Sequence, residues 1–153
     1  MDAQKITALR QHLTGLIKDP HAVDMCMDLM KIAQIWDDLI DKDKEIDPAS
    51  VHDVFITALI KLPSNPFYMA FSSELRPLLM NVYLQWRAAN EMEQSGKEED
   101  INKAYMLRAG IYQVFAYCAF LVYGVEKSAE ISADVWRIYG ETLPEFVKEV
   151  GGN

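Results

Sequence analysis

Carboxylates cluster in one short stretch of the sequence, residues 36–43, which reads WDDLIDKD. Because an α-helix turns about 100° per residue, Asp37, Asp38 and Asp41 fall within one arc of about 100° on a predicted helix, with Gln34 between them. Proteins bind hard cations such as Mg²⁺ with one or two carboxylates, while water and phosphate oxygens complete the shell. We therefore predict that Asp37, Asp38 and Asp41 bind a Mg²⁺ ion.

The same cluster has a second interpretation, a solvated helix end on an acidic protein. Acidic side chains near a helix C-terminus are disfavoured by the macrodipole, and adjacent carboxylates repel each other. Lys42 offsets part of both effects, and a bound metal or a polyamine would relieve the rest. Both interpretations stay open at this stage.

Two amides lie inside the apolar arc of a later predicted helix. Asn81 and Gln85 are one turn apart there, and a buried amide without a hydrogen-bond partner costs of order 1–3 kcal/mol. They either form a hydrogen-bond network between helices or line a cavity faced by the aspartates, with Asn90 or Glu93 at its mouth.

Arg108 is predicted to enter apolar surroundings, where a guanidinium needs a carboxylate or a bound anion. The expected partner is one of the three aspartates or else Glu74. The pair would be a structural link between helices, or Arg108 and a metal would together hold a phosphate. The predicted ligand-binding residues are thus Arg108, Asn81, Gln85 and Asn90. No catalytic residue emerges, since the sequence has no phosphate-cradling glycine loop and no Ser/His/Asp order.

Composition narrows the function classes. The chain has 153 residues and a formal net charge of −8, and an acidic surface repels nucleic-acid phosphates. Cys26 and Cys118 lie in apolar helical surroundings, which favours two free thiols in a reduced compartment. The first twenty residues lack a signal pattern, and the apolar run 109–123 is too short to span a bilayer. We predict a cytoplasmic protein that binds neither membrane nor nucleic acid.

Helical periodicity runs through the whole chain, and no useful alternating pattern occurs. The sequence predicts an all-α fold, a single-domain helical bundle over residues 1–153 with about five main helices plus short ones. The second helix has a predicted core stripe that ends in Trp36, Leu39 and Ile40, and the third has one that includes Phe55 and Leu59. The predicted helices span residues 3–18, 21–42, 47–62, 74–94, 101–123, 129–139 and 144–150.

Two resemblances add expectations. The run 37–41 (DDLID) resembles the Asp-Asp-x-x-Asp motif of isoprenyl diphosphate and terpene synthases, which implies a Mg²⁺ site for a diphosphate. Their second, opposing metal motif has no counterpart here unless Asn90 and Glu93 substitute for it. Four segments also resemble a family of small proteins from tailed phages and prophages: 36–41 (WDDLID), 65–68 (NPFY), 86–90 (WRAAN) and 107–108 (LR). That resemblance implies action in a bacterial host cytoplasm and transfers no activity. It also suggests that the aspartates, Asn90 and Arg108 belong to one site.

Two functions follow from these observations. The first is a Mg-dependent binder, or a hydrolase or transferase, of a diphosphate-containing small molecule, for which a homodimer could supply the missing half-site. The alternative is a non-enzymatic protein-interaction protein, acting in phage assembly or on a host protein. It would use an exposed acidic rim and the loop around Phe67, Tyr68 and Phe71, and an apolar patch would serve docking or self-association.

Overall fold

The computed structural model describes residues 1–151, and nearly all of them are helical. No β-strand occurs within those residues, so the predicted all-α class is confirmed. A π-helix, Thr57–Lys61, interrupts the series of α-helices. The α-helices are α1 (Ala3–Leu16), α2 (Pro20–Asp41), α3 (Pro48–Ile56), α4 (Leu62–Ser64), α5 (Pro66–Glu93), α6 (Glu98–Arg108), α7 (Ile111–Tyr123), α8 (Val125–Arg137) and α9 (Leu143–Gly151).

The chain forms two compact units, whose residues mostly contact others of the same unit: Met1–Ser72 and Ser73–Asn153. We call them the N-terminal unit and the C-terminal unit. The assignment of residues 1–153 to one domain stays a prediction.

Aspartates start the first three helices of the N-terminal unit. Asp2, Asp19 and Asp47 each accept a hydrogen bond, of 2.6–3.0 Å, from the backbone amide three residues later. Pro20 and Pro48 follow two of these caps at the first helical position, where a missing N–H costs nothing. Both α1 and α3 pack on α2. The buried side chains of this unit include Leu13, Ile17, Met25, Cys26, Leu29 and Leu62.

The third predicted helix is not uniform. The sequence predicts one helix over residues 47–62, whereas the structure changes from α3 to the π-helix at Thr57 and returns to α-helix at Leu62. Thr57 is fully buried. Within residues 1–151 its hydroxyl has no hydrogen-bond partner. π-Helical turns occur mostly as single insertions into α-helices and are frequent at functional sites.

Asn65 joins two parts of the N-terminal unit. Its Oδ1 accepts hydrogen bonds from the amides of Phe67 and Tyr68, at 2.9 and 3.1 Å, and so caps α5. Its Nδ2 donates to the carbonyl of His21 at 2.9 Å. The segment around Phe67 is helical and not a loop, because α5 already begins at Pro66, and Phe67 itself is only 5% exposed. The backbone leaves helical geometry at Phe71 (φ −121°, ψ 18°).

Two predicted core stripes are wrong in part. The buried residues of α2 all lie between Ala22 and Met30, whereas Trp36, Leu39 and Ile40 are 42–55% exposed. Phe55 and Leu59 are 56% and 71% exposed. Helical periodicity identifies the residues that share a face, but it does not say whether another element covers that face.

The C-terminal unit contains most of α5 and the four helices that follow. The predicted helix over residues 101–123 is broken at Ala109–Gly110 into α6 and α7. Helix α7 packs on α8, and Val114, Phe115, Cys118 and Val135 are fully buried. A smaller cluster of buried side chains joins α5, α6 and α9 through Ala89, Ala104 and Phe146.

One segment of residues 1–151, Glu98–Tyr123, is long and apolar enough to pass a length-and-composition test for a membrane span. Its most apolar stretch is 44% buried inside the protein. A buried core helix of a soluble protein passes the same test.

Candidate functional site

The candidate site centres on the end of α2, residues 36–44, which we call the α2 tip. Helix α2 ends at Asp41, and Lys42 adopts a left-handed conformation (φ 55°, ψ 26°) while its amide donates to the carbonyl of Asp38. This geometry stops the helix without a glycine. Asp41 is therefore the last helical residue, next to the unpaired carbonyls and the negative end of the helix dipole.

The three predicted metal ligands lie in different surroundings. Asp38 is the most enclosed, with a side chain 17% exposed, and it forms a 2.8 Å ion pair with Lys44. The hydrogen bond from Lys44 to Asp38 is the main reason that the pKa of this lysine is raised. Asp37 is half-buried and Asp41 is exposed. Among residues 1–151, no group of three or more His, Cys, Asp or Glu side chains is arranged to hold a metal ion. The Mg²⁺ site stays a prediction.

Apolar side chains accompany the carboxylates at the α2 tip. Trp36 is 47% exposed, Leu39 42% and Ile40 55%. Their spacing of i, i+3 and i+4 places them on one side of the helix. The α2 tip therefore combines an apolar face with an acidic rim.

An open groove of about 550 Å³ lies within the N-terminal unit. It is lined by α1, α2, the connection after α2, and α3, and its polar lining includes Gln34, Asp38, Lys44 and Ser50. Asp28 also lines the groove. Partial burial raises the pKa of Asp28, against the lowering effect of Lys31 and Lys61. A cavity of this volume is in the range that small-molecule sites occupy.

Arg108, the last residue of α6, binds the carboxylate of Glu93 on α5. Its Nε and Nη2 donate to the two carboxylate oxygens, with 2.8 Å between Nη2 and Oε2. Nη2 also donates to Oδ1 of Asn90 at 3.0 Å. The side chains of Arg108 and Glu93 are only 20% and 15% exposed. Glu93 was not among the predicted partners of Arg108. A sequence signal was present, because Asn90 and Glu93 are three residues apart on one helix face and can bind the same guanidinium. We call this arrangement of Arg108, Glu93 and Asn90 the clamp.

The two amides predicted to be buried, Asn81 and Gln85, lie in different surroundings. Gln85 accepts a 2.7 Å hydrogen bond from Nε2 of Gln113, as expected for a network between helices. A β-carbon at Gly110 would lie 2.5 Å from Oε1 of Gln85, so a larger residue there would make the end of this flexible side chain move aside. The predicted burial of Asn81 is wrong, because that residue is exposed.

Sequence reasoning missed a tyrosine cluster in the C-terminal unit. The hydroxyl of Tyr105 donates to the carbonyl of Glu141, and that of Tyr139 donates to its carboxylate, both at 2.7 Å. The ring of Tyr112 lies 5.4 Å from that of Tyr139, and burial raises the pKa of Tyr112 to about 12. The two hydrogen bonds to Glu141 anchor the connection between α8 and α9.

No protein-family model, no curated protein and no solved structure matches the chain. Functional inference therefore rests on the side chains themselves.

Proposed function

We propose that the chain is a non-enzymatic protein-interaction protein of the phage or prophage type. It acts in the cytoplasm of a bacterial host, in phage assembly or on a host protein. The observation that carries this proposal is the exposure of Trp36, Leu39 and Ile40 on one side of the α2 tip. Exposed apolar patches rimmed by polar residues mark protein-interaction sites.

The shape of the tip favours a grooved partner. Side chains at i, i+3 and i+4 are the anchors that a helix places into a hydrophobic groove. The tip carries four aspartates and two lysines, and the ion pair between Asp38 and Lys44 neutralises one of each. The formal net charge of the tip is −2, from four aspartates less two lysines. The partner therefore has an apolar groove with a basic rim, because complementary charge speeds encounter and fixes orientation.

A crosslinking experiment tests the proposal. A photo-crosslinking amino acid is placed at position 40 and, as a control, at Leu84, which is 56% exposed in the C-terminal unit. A discrete bacterial or phage protein captured from position 40 alone is then purified and titrated against the wild type.

The variant Leu39→Ser/Ile40→Ser should weaken that binding about thirty- to a thousandfold, since two apolar anchors contribute about 1–2 kcal/mol each. Met80→Ser/Leu84→Ser, which removes side chains of similar exposure, should leave it unchanged. Equal binding by the tip variant and the wild type would refute the proposal.

The groove in the N-terminal unit favours a second candidate function, Mg-dependent binding of a small diphosphate-containing molecule. Asp38 faces this groove beside Lys44 and Gln34, so one predicted metal ligand has cationic and amide groups within the same cavity. Mg²⁺ with pyrophosphate should then raise the melting temperature of the wild type by several degrees, because a ligand of the native state alone stabilises it. Asp37→Asn/Asp38→Asn should abolish the rise, and Asp134→Asn should not. An equal change in melting temperature for the wild type and the double variant would refute this second candidate function.

A further inference from the structure

A second apolar surface lies on α3 and the π-helix. Phe55, Ile56, Leu59 and Ile60 are 47–71% exposed, whereas Val54, Thr57 and Leu62 of the same segment are buried. We call the four exposed residues the α3–π seam. From this surface we infer that the protein forms a homodimer in which the seams of two copies pack against each other in antiparallel orientation.

The arrangement of the seam suits a two-fold axis. It consists of two adjacent pairs, Phe55 with Ile56 and Leu59 with Ile60, separated by one helical turn. When two copies of the segment run antiparallel, the first pair of one copy packs on the second pair of the other. Ile56 then faces Leu59 of the partner subunit. An interface related by a two-fold axis must be self-complementary in this way.

Charge favours a second copy over a charged partner. The seam contains no charged side chain, and His52 and Pro63 extend the same face by one turn at either end. Two chains of net charge −8 repel at long range, and an uncharged, apolar contact adds no further repulsion at the interface. A partner that carries basic groups would gain no ion pair from this surface.

The area is adequate for a stable dimer core. From their exposed fractions, the four side chains present roughly 400 Å² of apolar surface per copy. A standard interface buries about 800 Å² per partner, and a little over half of that is non-polar. The seam therefore supplies the apolar centre of such an interface, and the polar side chains around it supply the rim.

Sedimentation equilibrium over a range of protein concentrations tests the inference. The wild type should show twice the 17.5 kDa mass of one chain. Leu59→Glu should sediment as a monomer, or its dissociation constant should rise at least thirtyfold, because each copy would bury an unpaired charge. Leu84→Glu, at a residue exposed elsewhere, should remain dimeric.

Circular dichroism checks that each variant keeps the helical signal of the wild type, and Ile60→Lys is the second seam variant if Leu59→Glu does not fold. A monomeric wild type at about 100 μM, a seam variant that dimerises as tightly as the wild type, or loss of the dimer in Leu84→Glu would each overturn the inference. The α2 tip plays no part in this test, so Leu39→Ser/Ile40→Ser should stay dimeric whether or not the proposed function holds.

Discussion

The clamp between Arg108 and Glu93 gives the sharpest test of whether the polar groups of the C-terminal unit are structural. Arg108→Met removes a guanidinium that binds both oxygens of Glu93 and also Oδ1 of Asn90. Breaking a buried pair by removing one partner costs about 3–5 kcal/mol, because it leaves the other charge buried and unpaired. The side chains are 20% and 15% exposed, so water screens part of the charge. We expect a loss of about 2–3 kcal/mol.

Urea unfolding followed by circular dichroism measures that loss, which corresponds to a fall of roughly 5–10 °C in melting temperature. Arg137→Met is the matched control, since Arg137 forms an ion pair with Asp134 but its side chain is 75% exposed. It should cost less than about 0.5 kcal/mol. The double variant Arg108→Met/Glu93→Leu should recover more than half of the loss, because no buried charge is left unpaired.

A different pattern would refute this reasoning. If Arg108 is poised for a bound phosphate and not held by Glu93, Arg108→Met should unfold within about 0.5 kcal/mol of the wild type. It would then also abolish any stabilisation that pyrophosphate gives. A double variant less stable than Arg108→Met alone would show that Glu93 acts independently of the pair.

Three further predictions concern single positions. Gly110→Ala should change the free energy of unfolding by less than about 1 kcal/mol in the urea assay, because Gly110 has right-handed helical geometry and its new β-carbon would displace only Oε1 of Gln85, the end of a flexible side chain, and in the Gln85→Ala background the same change should be neutral or stabilising. Burial raises the pKa of Asp28, so the folded chain binds its proton more tightly than the unfolded chain does. The ionised carboxylate thus destabilises the fold at pH 7, and Asp28→Asn should raise the melting temperature there by about 1–2 °C but have no effect below about pH 4. Asn65→Ala should cost about 2–3 kcal/mol, because it removes the cap of α5 and the bond to the carbonyl of His21, and Asn65→Asp should cost at least as much, because it keeps the cap but places a buried carboxylate oxygen against that carbonyl.

Local signals in the sequence predicted the helices well. Asp47 followed by Pro48 marks a helix start that needs no tertiary information, and the structure begins α3 there. The break at Gly110 was missed because the apolar periodicity continues through it, and the side chain that lies against this glycine, Gln85, belongs to another helix. Contacts of that kind depend on packing, which local pattern does not contain.

The candidate site was harder to predict for a related reason. The sequence shows that Trp36, Leu39 and Ile40 share a side of α2, but their exposure depends on whether another element covers that side. Glu93 was missed as the partner of Arg108 because the pair is 15 residues apart in sequence and joins two helices. The identity of the chemical groups could be read from the sequence, whereas their pairing could not.

The distribution of paired and exposed groups favours the N-terminal unit for the functions proposed above. In the C-terminal unit Arg108 and Gln85 already bind partners within the chain. A ligand for Arg108 would have to displace a half-buried carboxylate, and Glu93 would then lose its charge partner at a cost of several kcal/mol. The N-terminal unit presents the opposite situation, since the α2 tip and the α3–π seam leave large apolar side chains in water. Covering them releases free energy of about 25 cal/mol per Å² and displaces nothing. The free energies therefore favour the two proposed associations, of the acidic α2 tip with a basic partner and of the uncharged α3–π seam with a second copy, over a ligand bound at Arg108.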